Sequence, residues 1–151
     1  MRALIQRVKS GSVEVENKIV SKITQGIVLL IGIEDSDDFS DIDWICKKVS
    51  QLRIFDDKDK IMNKSLIDID GQILIISQFT LHALIKKGNR PSYIRAAKSN
   101  YANKIYNQFL THMENKLNKK PLAGIFGANM LVKIENDGPV TIFMDSKNKS
   151  F

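Results

Sequence analysis

The chain has 151 residues, a 43% hydrophobic and 26% charged composition, and a net charge of +6. That length and balance fit one globular domain, 1–151, with a core of its own. No apolar run approaches the ~20 residues of a membrane span, the Met1–Val8 start is too short and polar for a signal peptide, and Cys46, the only cysteine, allows neither an internal disulfide nor a cysteine metal cluster. A reducing cytoplasm is the expected location. Charge is also unevenly spread. From Lys86 to Lys120 nine Lys or Arg face one acid, Glu114, while acids gather at Glu34–Asp43. A one-sided basic stretch suits a polyanion as well as a solvated helix face.

In chain order, Leu4–Val8 is apolar, and Val13 and Val15 alternate with Ser12, Glu14 and Glu16 at the period of a strand. Glu16-Asn17-Lys18 predicts a turn into Ile19–Ile23. After the break at Gln25-Gly26, the continuous apolar run Ile27–Ile33 predicts a strand buried on both faces. Ser36 or Asp37 is placed to cap a helix over about Asp38–Gln51, with Phe39, Ile42, Ile45, Cys46, Val49 and Leu52 on its inner stripe and Trp44 at the edge. Leu52–Phe55 reads as a short strand, Asp56–Lys60 as a polar turn, Ile61–Asp68 as irregular and Gln72–Phe79 as a strong strand. His82–Arg90 is a basic loop closed by Pro91. A second helix spans about Ser99–Asn118, burying Ala102, Ile105, Phe109, Met113 and Leu117. Met130–Ile134 and Val140–Met144 read as paired strands around Asn136-Asp137-Gly138-Pro139, and Lys147–Phe151 as a frayed tail. The fold class is α/β: a single domain of layered β-sheets with two main helices.

No phosphate loop, dinucleotide fingerprint or HExxH motif is present. His82 reads as a loop residue, and His112, near the end of an amphipathic helix, as structural. Cys46 belongs to the core. Two segments stand out instead. The apolar run Ile73–Ile76 switches abruptly to Ser77-Gln78-Phe79-Thr80, and polar groups at the end of a buried strand are a usual place for an active site in α/β folds. The other is Asn136-Asp137-Gly138-Pro139, which also suits a plain tight turn.

Ser77-Gln78-Phe79-Thr80-Leu81 resembles the SQFTL motif of D-aminoacyl-tRNA deacylases, and Asn136-Asp137-Gly138-Pro139-Val140-Thr141 resembles their NDGPVT motif. Met1-Arg2-Ala3, Gln6-Arg7-Val8, Leu52–Phe55, Met62-Asn63, Lys87–Ser92 and Phe126-Gly127-Ala128 resemble further family segments in order. His82–Ile85, Lys64 and Asn129 depart from the family pattern. The resemblance implies a homodimeric esterase in which a cis Gly138–Pro139 at the dimer interface reaches into the other subunit's pocket. Its two carbonyls would hold the substrate amino group and crowd out an L side chain. It further implies that Arg7 braces that loop, that Phe126 and Met130 pack the terminal adenosine of tRNA, and that backbone amides near Gln78-Phe79 form an oxyanion hole. Ser77 and Thr80 would shape the pocket, with water rather than Thr80 as the nucleophile and no metal or cofactor. Lys86–Arg90 would touch the tRNA backbone. D-aminoacyl-tRNA would be hydrolysed, glycyl-tRNA to some extent, and L-aminoacyl-tRNA spared. The rival readings are a non-catalytic dimeric RNA-binding module and a dimeric structural protein. A stably folded Gly138→Ala variant is the expected discriminator.

Overall fold

The computed structural model describes residues 1–86 and 88–150. Eight strands, two α-helices and one 3-10 turn follow in chain order: β1 (Arg2–Val15), β2 (Lys18–Ile23), β3 (Gly26–Gly32), α1 (Phe39–Gln51), β4 (Phe55–Asp56), β5 (Met62–Lys64), β6 (Gln72–Ser77), a 3-10 turn (Phe79–His82), α2 (Ser99–Leu117), β7 (Leu122–Ala123) and β8 (Leu131–Asp145).

β1 organises the sheet. Its first half pairs antiparallel with β3, its second half with β2, and β8 runs antiparallel along nearly its whole length. The β1–β2 hairpin turns at Glu16 and Asn17, both with positive φ, as a tight hairpin turn requires. β6 lies parallel to β3, and β7 parallel to β6. Parallel neighbours need a long crossover; α1 lies in the first and α2 in the second. Thus the layered sheets expected from sequence are one six-stranded sheet plus the small β4–β5 ribbon.

Both faces of that sheet are covered. On one, Ile27, Leu29 and Ile31 of β3 and Ile73 and Ile75 of β6 pack against α1 and α2 through Ile42, Ile45, Cys46, Val49, Ile105, Phe109 and Met113. On the other, Val28 of β3 and Leu74 and Ile76 of β6 join Val8, Val13 and Ile23. The sheet curls to enclose this second cluster: Ser21 of β2 donates to the Ala123 carbonyl of β7 at 2.7 Å. Residues of alternate parity thus serve two cores, which is why β3 and β6 read as unbroken apolar runs.

Several local expectations are corrected. The α1 cap is Asp38, not Ser36 or Asp37; its carboxylate accepts from Ser40 N while Asp41 accepts from Asp38 N, a reciprocal capping box. Phe39 is not on the inner stripe but is exposed, edge-on to His112 at 5.0 Å. Leu52–Ile54 stays outside strand structure, leaving only Phe55–Asp56, and Met62–Lys64 of the segment expected to be irregular supplies its partner strand. Leu117 is half-buried and Tyr106 takes a buried place on α2. β6 ends at Ser77. The hairpin expected around Asn136–Pro139 is instead one strand, β8, with a bulged loop: Val8 pairs with Asn136 and Gln6 with Thr141, so the residues between them loop out.

The tail is pinned rather than frayed at Lys147, while Phe151 lies outside the described residues. Lys147 Nζ reaches Asp41 Oδ2 at 2.7 Å and the Ser36 carbonyl at 2.9 Å. Ser146 donates to Asp41 Oδ1 at 2.6 Å and accepts from the Met1 ammonium, which also pairs with buried Asp37. Burial alone would raise the Asp41 pKa, but the Lys147 and Ser146 hydrogen bonds outweigh it and bring it to about 2. A carboxylate with a depressed folded-state pKa stabilises the fold above its ordinary pKa, and that contribution is lost as pH falls toward 2. Lys147→Met is expected to cost about 1 kcal/mol at neutral pH. In urea denaturation the gap from the parent protein should narrow below pH 4; a constant gap would place the effect elsewhere.

Candidate active site

The end of β6 and the 3-10 turn after it open onto a cleft of about 520 Å³. Ser77, Gln78 and Phe79 form one wall, Tyr93, Ala96, Ala97, Ser99 and Ala102 another, and Phe126 to Met130 a third; Ile31, Ile33 and Ile76 are at its base. Three chain segments far apart in sequence therefore meet here. Among the described residues no carboxylate, imidazole, thiol or amine lines the cleft. Its polar equipment is hydroxyls, carboxamides and backbone.

The 3-10 turn is held by close packing on β3. Gln78 N donates to the Ile31 carbonyl at 2.7 Å, continuing the β3–β6 ladder by one bond. That amide is consequently spent and is not available as an oxyanion donor. A Cβ on Gly32 would lie 3.0 Å from the Gln78 carbonyl, Leu81 Cβ and His82 Cδ2, so only glycine lets the turn approach this closely. Phe79 and Thr80 begin the turn, where N–H groups have no preceding helical carbonyl to bond. Among the described residues no carbonyl accepts from either. The Thr80 hydroxyl accepts from the Gln78 side-chain amide and is not among the cleft-lining groups. Among the described residues no basic side chain on the lining stands ready to deprotonate it.

Phe126 leans on Tyr106, rings 5.7 Å apart, and Tyr106 donates to the Ile75 carbonyl at 2.7 Å. Burial raises the Tyr106 phenol far above its usual range, so it stays a donor. Phe126 is thereby braced from α2 through a residue absent from the sequence-based core. Its period-4 position after Ala102 was the available signal.

The Asp137-Gly138-Pro139 loop is exposed at its tip and does not line its own chain's cleft. The Gly138–Pro139 peptide is cis. Buried Arg7 braces the loop: Nε donates to the Asp137 carbonyl at 3.3 Å and pairs with its carboxylate at 3.1 Å, while Nη1 donates to the Ile54 carbonyl at 2.6 Å. Asn136 clips the loop shut, donating to the Arg7 carbonyl at 2.9 Å and the Val140 carbonyl at 3.1 Å and accepting from Thr141 Oγ1 at 3.2 Å. The first and last residues of the NDGPVT segment thus work as a closure, a role not assigned from sequence. Gly138 has φ +111°, and a Cβ there would fall 2.8 Å from Arg7 Nη2. Gly138→Ala is therefore not the mild probe expected from sequence.

The two histidines differ. His112 Nε2 lies 2.8 Å from the Asp43 carboxylate, bridging α2 to α1, a structural role as expected. His82 is not a loop side chain; it is 1% exposed, packed beneath the turn, and neither ring nitrogen has a hydrogen-bond partner. Cys46 is buried against α2, and burial pushes its thiol well above the ordinary range, consistent with a core residue. No cluster of three or more His, Cys, Asp or Glu suited to a metal occurs among the described residues.

Comparison with known proteins supplies the family. The profile for D-Tyr-tRNA(Tyr) deacylase matches residues 4–145. This chain belongs to that family. It is 54% identical to a D-aminoacyl-tRNA deacylase of Flavobacterium psychrophilum and 53% identical to one of Bacteroides thetaiotaomicron, each over 99% of both chains. Among solved structures it resembles the c-Myc DNA Unwinding Element Binding Protein, at 38% identity and TM-score 0.90 over 96% of this chain and 98% of that one. A probable eukaryotic D-amino acid tRNA deacylase shares the fold at 18% identity and TM-score 0.82, over 95% and 97% of the two chains.

His82 generates a pH prediction. Burial, the largest cause, holds its pKa below 6.5. The unfolded chain then binds a proton that the folded chain does not, so stability falls as pH drops below about 6.5. His82→Leu is expected to remove that component while costing little at pH 8, because two unsatisfied nitrogens leave the core. Parallel denaturation curves at pH 8 and pH 5 check it; an unchanged pH dependence would contradict it.

Proposed function

We propose that the cleft hydrolyses the ester of D-aminoacyl-tRNA to free D-amino acid and tRNA, in the cytoplasm, and that it does so as a homodimer. The observation that carries this is the cleft itself: Ser77, Gln78 and Phe79 at the end of a buried strand line it together with Phe126 and Met130, and among the described residues its lining holds no carboxylate, imidazole, thiol or amine. An aminoacyl ester is already activated. What it requires is a held water and a stabilised oxyanion, and preorganised backbone donors supply the latter, typically ~3–4 kcal/mol each. The N–H of Phe79, which lines the cleft, takes that role, narrowing the sequence expectation from Gln78-Phe79 to one residue. The terminal adenosine stacks between Phe126 and Met130, and its 2′-hydroxyl helps direct water to the carbonyl. Ser77 and the Gln78 carboxamide order the polar wall.

Stereoselection falls to the carbonyls of Gly138 and Pro139 of the partner subunit, which hold the substrate amino group. An L side chain collides with them, whereas a D side chain points to solvent and glycine presents nothing to exclude, so glycyl-tRNA is hydrolysed too. Arg7 and Asn136 keep that loop rigid. Two features support action across an interface. The loop projects from its own chain without lining its own cleft, and β8 presents a 15-residue edge that pairs with no other strand than β1 among the described residues. A long open edge is a natural site for a second copy. The motif pair, rather than the basic face alone, favours the enzyme over a non-catalytic RNA-binding module.

Two inactive variants test the trans arrangement: Ala96→Trp, which fills the cleft, and Gly138→Val, which forces the loop aside. Each homodimer should hydrolyse D-Tyr-tRNA at least about 100-fold more slowly than the parent, the scale of a lost oxyanion contact. Mixed at equal amounts and allowed to exchange subunits, half the dimers would hold one intact cleft facing one intact loop. Activity should then recover to about a quarter of the parent value by that dimer arithmetic. No recovery, with exchange verified, would place the loop in its own subunit's site.

A further inference from the structure

Beyond the cleft's reaction centre, the segment Arg90–Lys98 forms an exposed rim whose composition the hydrolytic mechanism does not use. Tyr93 is 39% exposed and meets Phe79 edge-to-face, rings 4.9 Å apart at 76°. Arg90, Arg95 and Lys98 are exposed, and the last two alternate with Ala96, Ala97 and Ser99, which line the cleft. The rim is not loose. Leu84 and Ser92 exchange two backbone hydrogen bonds at its start, and Ala97 N donates to the Ile33 carbonyl at 2.9 Å at its end. Nothing negative lies nearby in sequence: from Gly71 to Met113 the chain carries Lys86, Lys87, Arg90, Arg95, Lys98 and Lys104 and no Asp or Glu.

We infer that this rim is a shelf for the unpaired nucleotides that precede the terminal adenosine of tRNA, with Tyr93 as the stacking platform and Arg90, Arg95 and Lys98 as phosphate contacts. The inference rests on the deacylase reading, since it presumes that a tRNA 3′ end occupies the cleft. Aromatic rings interleaved with cations are the equipment that single strands need: every base has a face to stack, and every linkage a charge to neutralise. A duplex would not use Tyr93, because its bases are already stacked. A protein partner would gain nothing from an acid-free rim unless it were itself acidic. Phe79 locks the Tyr93 ring edge-on, so the platform is preorganised, which lowers the ordering cost of binding. Its ring contact is with Phe79, the residue whose N–H the proposed mechanism uses, so the shelf adjoins the proposed place of the ester.

The test is direct binding of two uncharged RNAs: intact tRNA-Tyr, and the same tRNA trimmed of its unpaired 3′ nucleotides. The parent protein should prefer the intact RNA by tenfold or more. Tyr93→Ala should cut that preference about tenfold, the scale of one lost stacking contact. Arg95→Gln with Lys98→Gln should reduce the slope of log affinity against log salt by about 1.4, two single-strand phosphates' worth. Equal binding of both RNAs by the parent, or an unchanged preference in Tyr93→Ala, would overturn the shelf. Hydrolysis of D-Tyr-tRNA by the same parent sample separates the two ideas. If the ester is cleaved but the preference is absent, the shelf alone falls; if the ester survives while the preference is present, the shelf stands and the catalytic reading falls.

Discussion

The parallel pairing of β3 with β6 is the constraint on which the rest depends. It runs from Gly26 against Gln72 to Ile31 against Ser77 and is extended one step by Gln78 N on the Ile31 carbonyl. Because both strands are buried on both faces, neither can shift by one residue without exchanging the contents of two cores. The polar residues after Ile76 are therefore delivered to one fixed point. Gly32 then permits the 3-10 turn to pack onto the end of β3, and the turn leaves the N–H of Phe79, a residue of the cleft lining, without a backbone acceptor among the described residues.

A second constraint, the bulge in the β1–β8 ladder, fixes the loop to which the proposed stereoselection falls. Four residues of β8, from Asp137 to Val140, lie opposite the single residue Arg7 of β1, and the excess chain is closed by Asn136 and braced by Arg7. Rigidity matters more here than affinity. A site that accepts many D side chains cannot use attractive side-chain contacts, because those discriminate only by ~1–3 kcal/mol per methylene. Exclusion at the chiral centre is independent of side-chain type, provided the excluding atoms do not yield. A buried arginine and a doubly bonded asparagine meet that condition.

Much of this was legible in the chain. The apolar runs of β3 and β6, the periodicity of α1 and α2, and the abrupt change at Ser77 all reflect burial, which composition records directly. Of the site residues expected from sequence, Ser77, Gln78, Phe79, Phe126 and Met130 meet in one cleft, whereas Thr80, Arg7, Gly138 and Pro139 do not line it. What failed were features set by tertiary partners. Nothing local distinguishes a hairpin around Asn136–Pro139 from a bulge in one long strand; the difference is the 14-residue β1 lying alongside. His82 reads as a loop residue because its burial comes from β3, fifty residues earlier. Lys147 reads as a tail because its partner, Asp41, lies 106 residues earlier, in α1. Likewise the sequence offers Gln78 N as an oxyanion donor because its bond to the Ile31 carbonyl is set by β3, far away in the chain.

The central claim is that a metal-independent cleft of backbone donors hydrolyses one stereochemical series of aminoacyl esters. Purified protein incubated with D-Tyr-tRNA and L-Tyr-tRNA side by side, with and without EDTA, tests it most directly. The account predicts rapid loss of the D ester, at least about 100-fold faster than the L ester as expected for an uncompensated steric clash of ~3 kcal/mol or more, and no effect of EDTA. Equal loss of both esters would contradict exclusion at the chiral centre, and loss of the D ester that EDTA abolishes would contradict chemistry built on backbone donors.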